Sequence, residues 1–387
     1  MSLLPDQVFS SADLENEILS LLFHPTEQML LAGDLHGCIH FNLFDLDDRS
    51  VSLPEGMDLK PFTPHKGQSC RAIDIASTAA TYIVSGGSDC SIAVSSFDPK
   101  VITRYRTDTA INVVRCLNEE GTIILAGDDE GGLTGIDIRQ KKKIFSIQEQ
   151  EDYITSITSM TPNGLKSVVC TSGDCTLAVY DLRGLPDSEG KKRKDRLVAM
   201  SDPQENELNC AIVMNAGQHL LTGDANGVVA IWRDGYWGDL KDRVPLYQKS
   251  ENPKGGMDGA HSIEGMKRIE DKEYLAVTSD GIIRTLSLFP NHVQRVIGVH
   301  KNNDDTEVAT ISAFDCDAQL GLVATAAGDS EGRIKFWSQK SKQTESEAPE
   351  EIEPKRTERK KKNKKNSGGD IHSNFNRASK QEFFSDL

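Results

Sequence analysis

Ile-Ile-Leu-Ala-Gly-Asp-Asp-Glu-Gly-Gly-Leu-Thr-Gly-Ile-Asp-Ile-Arg, residues 123–139, is the stretch whose reading decides the fold. A strand rich in small residues (Ile123–Gly127) runs into a tight acidic turn (Asp128–Gly132), and a second strand leaves it and ends on Asp137. Asp tolerates left-handed backbone and Gly supplies positive φ without steric cost, so the turn suits a hairpin. The same shape recurs at Leu30–Phe41, Tyr82–Val94, Val168–Asp181, Leu220–Trp232, Tyr274–Leu286 and Leu322–Trp337. Marking each turn by its last residue before the outgoing strand gives Gly37, Cys90, Gly131, Cys175, Gly227, Gly281 and Gly332, at intervals of 53, 41, 44, 52, 54 and 51 residues. A strand–turn–strand unit repeating every ~40–55 residues is a β-propeller blade. Seven units predict an all-β, seven-bladed β-propeller.

Such a ring holds residues 1–338 as one domain and leaves 339–387 as a disordered tail, first acidic and then basic. From Ser338 to Leu387 there are 12 Lys/Arg and 9 Asp/Glu, so the remainder carries 32 cations against 50 anions, a net of −18. A body of that sign repels phosphate backbones, which directs any RNA contact to the basic segments. The eight cysteines (38, 70, 90, 116, 170, 175, 210 and 316) show no Cys-x-x-Cys spacing. They read as small hydrophobes in a reducing compartment. The first residues lack the basic and apolar regions of a signal peptide, and no run approaches the ~18 apolar residues of a membrane span. The expectation is a soluble monomer with no membrane contact.

In chain order, residues 6–12 precede the first unit and are expected to close the last blade as its outer strand, leaving no open edge. Inner strands follow at Ile18–Phe23, Ala72–Ile75, Ile111–Cys116, Ile154–Met160, Cys210–Met214, Ile263–Ile269 and Thr310–Phe314. Outer strands are weaker, with Val101–Tyr105, Ile144–Ile147, Leu197–Ala199 and Val293–Val299 as candidates. Gly184–Arg196 is a polar insertion carrying the cluster Lys191, Lys192, Arg193, Lys194 and Arg196. In the tail, Lys355, Arg356, Arg359, Lys360, Lys361, Lys362, Lys364 and Lys365 fall within twelve residues. Both clusters suit nuclear import or RNA contact, and both also suit solvated loops. At the end, Ser379 and Glu382 have capping-box spacing, and Phe383, Phe384 and Leu387 fall on one helical face, a candidate partner contact.

Signals of catalysis are lacking: there is no phosphate-binding Gly-x-x-x-x-Gly-Lys-Ser/Thr loop, no His-Glu-x-x-His and no Gly-x-Ser-x-Gly. Glycines 131, 132 and 135 lie in a β-turn with no helix after them to face a phosphate. His36 and His40 read as turn and surface packing, because a metal site needs more ligands. No cofactor or metal is expected, and the reading is non-enzymatic. Two wide rims of loops on a rigid ring suit the holding of other proteins.

The unit endings Val179-Tyr180-Asp181-Leu182-Arg183, Ala230-Ile231-Trp232-Arg233 and Lys335-Phe336-Trp337-Ser338 resemble the WD40 repeat in degenerate form. Its turn Asp, which the family uses to tie strands together, is clearest at Asp89, Asp174 and Asp280. Elsewhere it is shifted or replaced, as at Glu331, which predicts blades held more by packing. Within WD40 proteins, Gly127–Gly132, Asp152–Ile154, Ser279–Arg284, Pro290-Asn291 and the Phe-Phe-x-x-Leu ending resemble the WD repeat-containing protein 55 family and its fungal branch. That resemblance implies the nucleus and nucleolus, pre-ribosomal or other nuclear protein partners, and a non-enzymatic role in ribosomal RNA processing. A competing resemblance attaches to Asp137/Arg139 and Asp181/Arg183. Asp-x-Arg after the third strand is similar to the motif by which many WD40 proteins dock on the cullin-4 ubiquitin ligase adaptor. The same residues also serve as a strand-end Asp and a solvated turn Arg.

Overall fold

A computed structural model of the chain describes residues 7–10, 14, 16–45, 50–52, 61–75, 81–117, 122–161, 164–183, 196–238, 240–246, 261–302, 307–328 and 332–339. Among them, 28 strands form seven four-stranded antiparallel sheets. Blade 1 runs Ile18–Phe23, Met29–Asp34, Ile39–Asp45, Ser50–Ser52, and blades 2 to 6 repeat that order. Blade 7 takes Ile311–Asp317, Leu322–Ala327 and Ile334–Ser338 from the end of the ring. Its outer strand, Gln7–Ser10, comes from the start and pairs Gln7 with Trp337. The first strands neighbour one another in sequence order, and that of blade 7 returns to that of blade 1. The protein is a seven-bladed β-propeller.

All seven residues that mark the hairpin turns have positive φ, from 54° at Cys90 to 80° at Gly131. Five are glycine; Cys90 and Cys175 hold the same left-handed backbone against their own Cβ. At Gly131 no side chain fits, since a Cβ there would lie 2.2 Å from the carbonyl oxygen of Gln150.

Two inner strands, Cys70–Ile75 and Leu208–Met214, begin two residues earlier than their hydrophobic pattern suggests, and all seven share one irregularity near the start. In every blade the register slips between the first and third residues, as at Ile154/Ser156 and Leu208/Cys210. This is a β-bulge, which adds twist and re-aims one side chain. The outer strands Ser50–Ser52 and Asp242–Pro245 escaped the sequence reading because they are short and polar.

Seven hydrophobic clusters each straddle one blade junction, so the core lies between sheets rather than within one. Phe23 and Phe44 of blade 1 meet Phe336 of blade 7, with the Phe23 and Phe44 rings edge-on at 5.8 Å. Trp232 and Trp337 are fully buried, and truncating either to Ala costs about 3–5 kcal/mol. Cys70, Cys116, Cys170 and Cys210 are buried free thiols, and burial pushes Cys210 up to about 12.

Candidate functional site

In each blade the turn between the second and third strands and the crossing to the next blade share one edge of the ring, here the upper rim. The turns between first and second and between third and fourth strands form the lower rim. Loop geometry on the upper rim is set by buried polar networks. In blade 2, His65 bonds Asp89 through Nδ1 and Ser85 through Nε2, both at 2.9 Å, and Arg104 reaches Asp89 at 3.0 Å. Burial opposes ionisation of Asp89, but its bonds to Ser91 and His65 outweigh that and hold it below the usual carboxylate range. Blade 7 repeats the motif with His300, Thr325 and Trp337, where the imidazole and the indole N–H each meet the Thr325 hydroxyl at 2.8 Å. Gln150 takes the histidine's place in blade 4 and donates to Thr176, whose hydroxyl donates to Asp174.

Blades 1, 3 and 5 carry their aspartate three residues before the marked glycine, at Asp34, Asp128 and Asp224. Here the structure corrects the expectation of blades held by packing. Each Oδ1 accepts two backbone N–H groups of its own turn, those of His36 and Cys38, Glu130 and Gly132, and Asn226 and Val228, at 2.7–3.1 Å. The carboxylate thus caps the turn from the preceding strand end, an Asx-type solution to the same unpaired donors. In blade 1 Asp34 also pairs with His40 at 2.9 Å. Burial disfavours charge on that imidazole, yet the bond to Asp34 prevails and raises it to about 9. Glu331 lies outside the described residues.

The bulged residues tie blade to blade. Thr155, Asn209 and Ser312 donate to the carbonyls of Leu208, Ile263 and Ile18, the first residue of the next inner strand, at 2.5, 3.2 and 2.6 Å. Lower in the channel, Asp74 accepts from the Cys116 N–H at 2.7 Å and Asp315 from the Phe23 N–H at 2.8 Å. Lys267 pairs with Asp315 at 2.8 Å. A cavity of about 800 Å³ lies along the inner strands of blades 3 to 7, lined by Arg115, Thr155, Asn209, Glu264, Lys267 and Phe314 among others.

Among the described residues, the two rims carry opposite net charge across blades 3 to 5. Glu130, Glu149, Glu151, Asp152, Asp202 and Glu205 are exposed on the upper loops. Tyr153 donates to Glu207 there at 2.9 Å, and burial followed by Glu207 pushes its phenol up to about 12. The lower rim presents Arg139, Lys141, Lys166, Arg183, Arg233 and Lys241, outnumbering the exposed Asp234 and Asp242 among them. Exposed aromatics stand among them, with Arg233 over the Tyr236 ring at 5.0 Å and Lys241 over Phe289 at 4.0 Å. This polarity was not read from the sequence, because acids and bases alternate along the chain and separate only when strands reverse.

Both Asp-x-Arg pairs sit on the lower rim, each folded on itself. Arg139 bonds Asp137 at 3.1 Å and Arg183 bonds Asp181 at 2.5 Å, with the arginine side chains 58% and 59% exposed. Burial opposes charge on Asp137, but Arg139 outweighs it and keeps the carboxylate ionised. Arg196 departs from the expected basic cluster. It is buried, its guanidinium lies over the Phe145 ring at 5.3 Å, and its carbonyl accepts from the Asp181 N–H at 2.9 Å. Lys191, Lys192, Arg193 and Lys194 lie outside the described residues, as do the tail cations from Lys355 to Lys365 and Phe383, Phe384 and Leu387. His65 and His300 were missed as determinants. One signal was present: His65 stands 24 residues before Asp89, and Gln150 stands equally far before Asp174.

Seven four-stranded blades with these His–Ser/Thr–Asp and Thr–Trp networks define a WD40 β-propeller, a class that generally serves as a non-catalytic scaffold for interactions. Within that class the chain is homologous to the WD repeat-containing protein 55 proteins of several species. It is 28% identical to the WD repeat-containing protein 55 homolog of Dictyostelium discoideum, over 73% of this chain and 60% of that protein. It is 27% identical to WD repeat-containing protein 55 of Arabidopsis thaliana, over 74% and 73% of the two chains. An uncharacterised WD repeat-containing protein of Schizosaccharomyces pombe is 28% identical over 84% of this chain and 82% of its own length. The match thus spans less than two thirds of the Dictyostelium relative, and 57% of the homolog from Drosophila melanogaster. No protein-family model matches the chain. Among the described residues no helix is long and apolar enough to cross a membrane.

Proposed function

We propose that this chain is a scaffold for nuclear proteins, acting in the nucleolus in ribosomal RNA processing and ribosome assembly. The observation that carries the reading is the similarity to WD repeat-containing protein 55 proteins across most of the propeller, whose family the sequence motifs resemble. The ring supplies what such work needs: loops fixed by buried networks, an acidic upper rim suited to Lys/Arg-rich protein segments, and a cationic lower rim. RNA contact, where it occurs, falls to basic stretches, since the acidic remainder repels phosphate. Affinity purification of the full chain at native levels, reading proteins and RNA together, tests this. Pre-ribosomal proteins and ribosomal RNA precursors are expected; their absence from a preparation that retains other partners overturns the reading.

A second reading, a substrate receptor on the cullin-4 ligase adaptor, is favoured by one observation. Arg139 and Arg183 both keep more than half of the side chain exposed on the same rim. Recovery of the adaptor in place of pre-ribosomal proteins would select it.

A further inference from the structure

The upper turn of blade 1 gathers three donors of different chemistry. Asp34 ends the second strand, Cys38 follows the turn, and His40 lies two residues further along the third strand. Cys38 and His40 therefore project on one face of the hairpin, opposite the strand end that carries Asp34. The carboxylate oxygen, the thiol sulfur and the imidazole nitrogen all lie within 4.8 Å of one another. From these positions we propose that Asp34, Cys38 and His40 bind a zinc-class divalent transition-metal ion, with solvent completing the coordination.

The carboxylate is already aimed. Asp34 is 1% exposed, its Oδ1 is held by the backbone N–H groups of His36 and Cys38, and Oδ2 faces the Nε2 of His40 at 2.9 Å. Two ligands on tetrahedral zinc at ~2.0–2.1 Å stand about 3.3 Å apart, so a shift of a few tenths of an ångström opens room for the ion between them. Mixed thiolate, imidazole and carboxylate donors suit zinc and its neighbours rather than calcium or magnesium. Binding replaces the proton shared by Asp34 and His40 and releases the Cys38 thiol proton to solvent, with no redox change.

The other hairpins show that the fold does not require this set. At the place of Cys38 they carry Ser91, Gly132, Thr176, Val228, Ile282 and Arg333, and at the place of His40 they carry Ala93, Thr134, Ala178, Ala230, Arg284 and Lys335. In blade 6 Arg284, at the place of His40, pairs with Asp280 at 3.2 Å and donates to the Thr278 hydroxyl at 2.6 Å, so a cation there serves its turn without a thiol. The Cys38 thiol, within reach of the imidazole and the carboxylate, adds a metal ligand that those blades do not carry at this place. His40 is thus joined by donors that the hairpin brings from both strands, while His36 stands outside the ligand set.

The test uses the full chain, reduced and stripped with a chelator, titrated with Co²⁺ while thiolate-to-cobalt charge transfer is followed in the near ultraviolet. One equivalent per chain is expected, displaced by Zn²⁺. The band should be lost in Cys38→Ser and in His40→Thr, which place residues of blades 2 and 3 at these positions, and kept in Cys90→Ser. Absence of the band from the native chain, or its persistence in Cys38→Ser, overturns the site. Because the readout is the metal itself, it stands or falls independently of the nucleolar reading.

Discussion

The carboxylate of Asp315 accepts the backbone N–H of Phe23 at 2.8 Å, joining residues 292 positions apart in sequence across the junction of blades 7 and 1. Asp315 is buried and also holds Lys267. Asp315→Ala leaves the Phe23 N–H without its acceptor and returns Lys267, 37% exposed, to solvent, and is expected to cost about 1–3 kcal/mol. Asp315→Asn, which keeps an acceptor for Phe23, should cost less. Deleting residues 1–12 removes the outer strand of the same blade and exposes an edge, so aggregation is expected. Urea unfolding and size-exclusion chromatography check all three, and unchanged profiles would count against closure as a source of stability.

Tyr180 occupies in blade 4 the place of Trp232 and Trp337. Those indoles donate to Thr222 and Thr325 at 3.0 and 2.8 Å. Blade 4 has Cys170 in place of the threonine, and the Tyr180 hydroxyl is buried with no hydrogen-bond partner among the described residues. Tyr180→Phe should therefore raise unfolding free energy by about 1 kcal/mol. A loss of similar size in urea unfolding would show that the hydroxyl is satisfied in solution.

Acid sensitivity should trace in part to His65. Burial disfavours its charged form more than Asp89 favours it, so the folded imidazole sits below its ordinary 6.5. The unfolded chain takes up a proton that the folded chain refuses. This group's contribution is full above that value and falls as pH drops through it, by at most about 1.4 kcal/mol per pH unit. His65→Gln, the residue blade 4 uses at Gln150, should flatten the stability profile between about pH 7 and 5. An identical slope in both proteins would refute the assignment.

Arg139→Ala combined with Arg183→Ala is expected to lower the melting temperature modestly without unfolding the ring: Arg183 is mostly solvent-exposed beside a partly exposed Asp181, whereas Arg139 also balances the buried Asp137 carboxylate. The same double variant separates the two functional readings. Capture of the ligase adaptor should vanish if these arginines anchor it, while pre-ribosomal partners should persist. Co-precipitation from cells expressing either protein measures both.

The period and the left-handed turn residues were legible because both depend on local chemistry. Gly37, Gly131 and Gly227 follow aspartates that cap their own turns, all within four residues. What stayed hidden depends on neighbours distant in sequence. The bulges at Thr155, Asn209 and Ser312 make sense only once the next blade supplies a carbonyl. Arg196 looked like the end of a basic run, yet Phe145, on the previous blade, draws it inward. Acidic and basic rims emerge only when alternate turns are sorted to opposite edges, and the metal-ligand set emerges only when Asp34 is brought across the hairpin from His40.

Blade 7 has a consequence for biosynthesis. Its outer strand leaves the ribosome first and its inner three leave last, with Gln7 waiting for Trp337. Throughout nearly all of translation the apolar flank of blade 1, with Phe23 and Phe44, has no Phe336 to cover it. Closure of the ring is therefore a long-range latch rather than a local step, and that apolar flank stays open to aggregation until the latch engages. A truncated message that stops after blade 6 yields not a smaller ring but an open, adhesive arc.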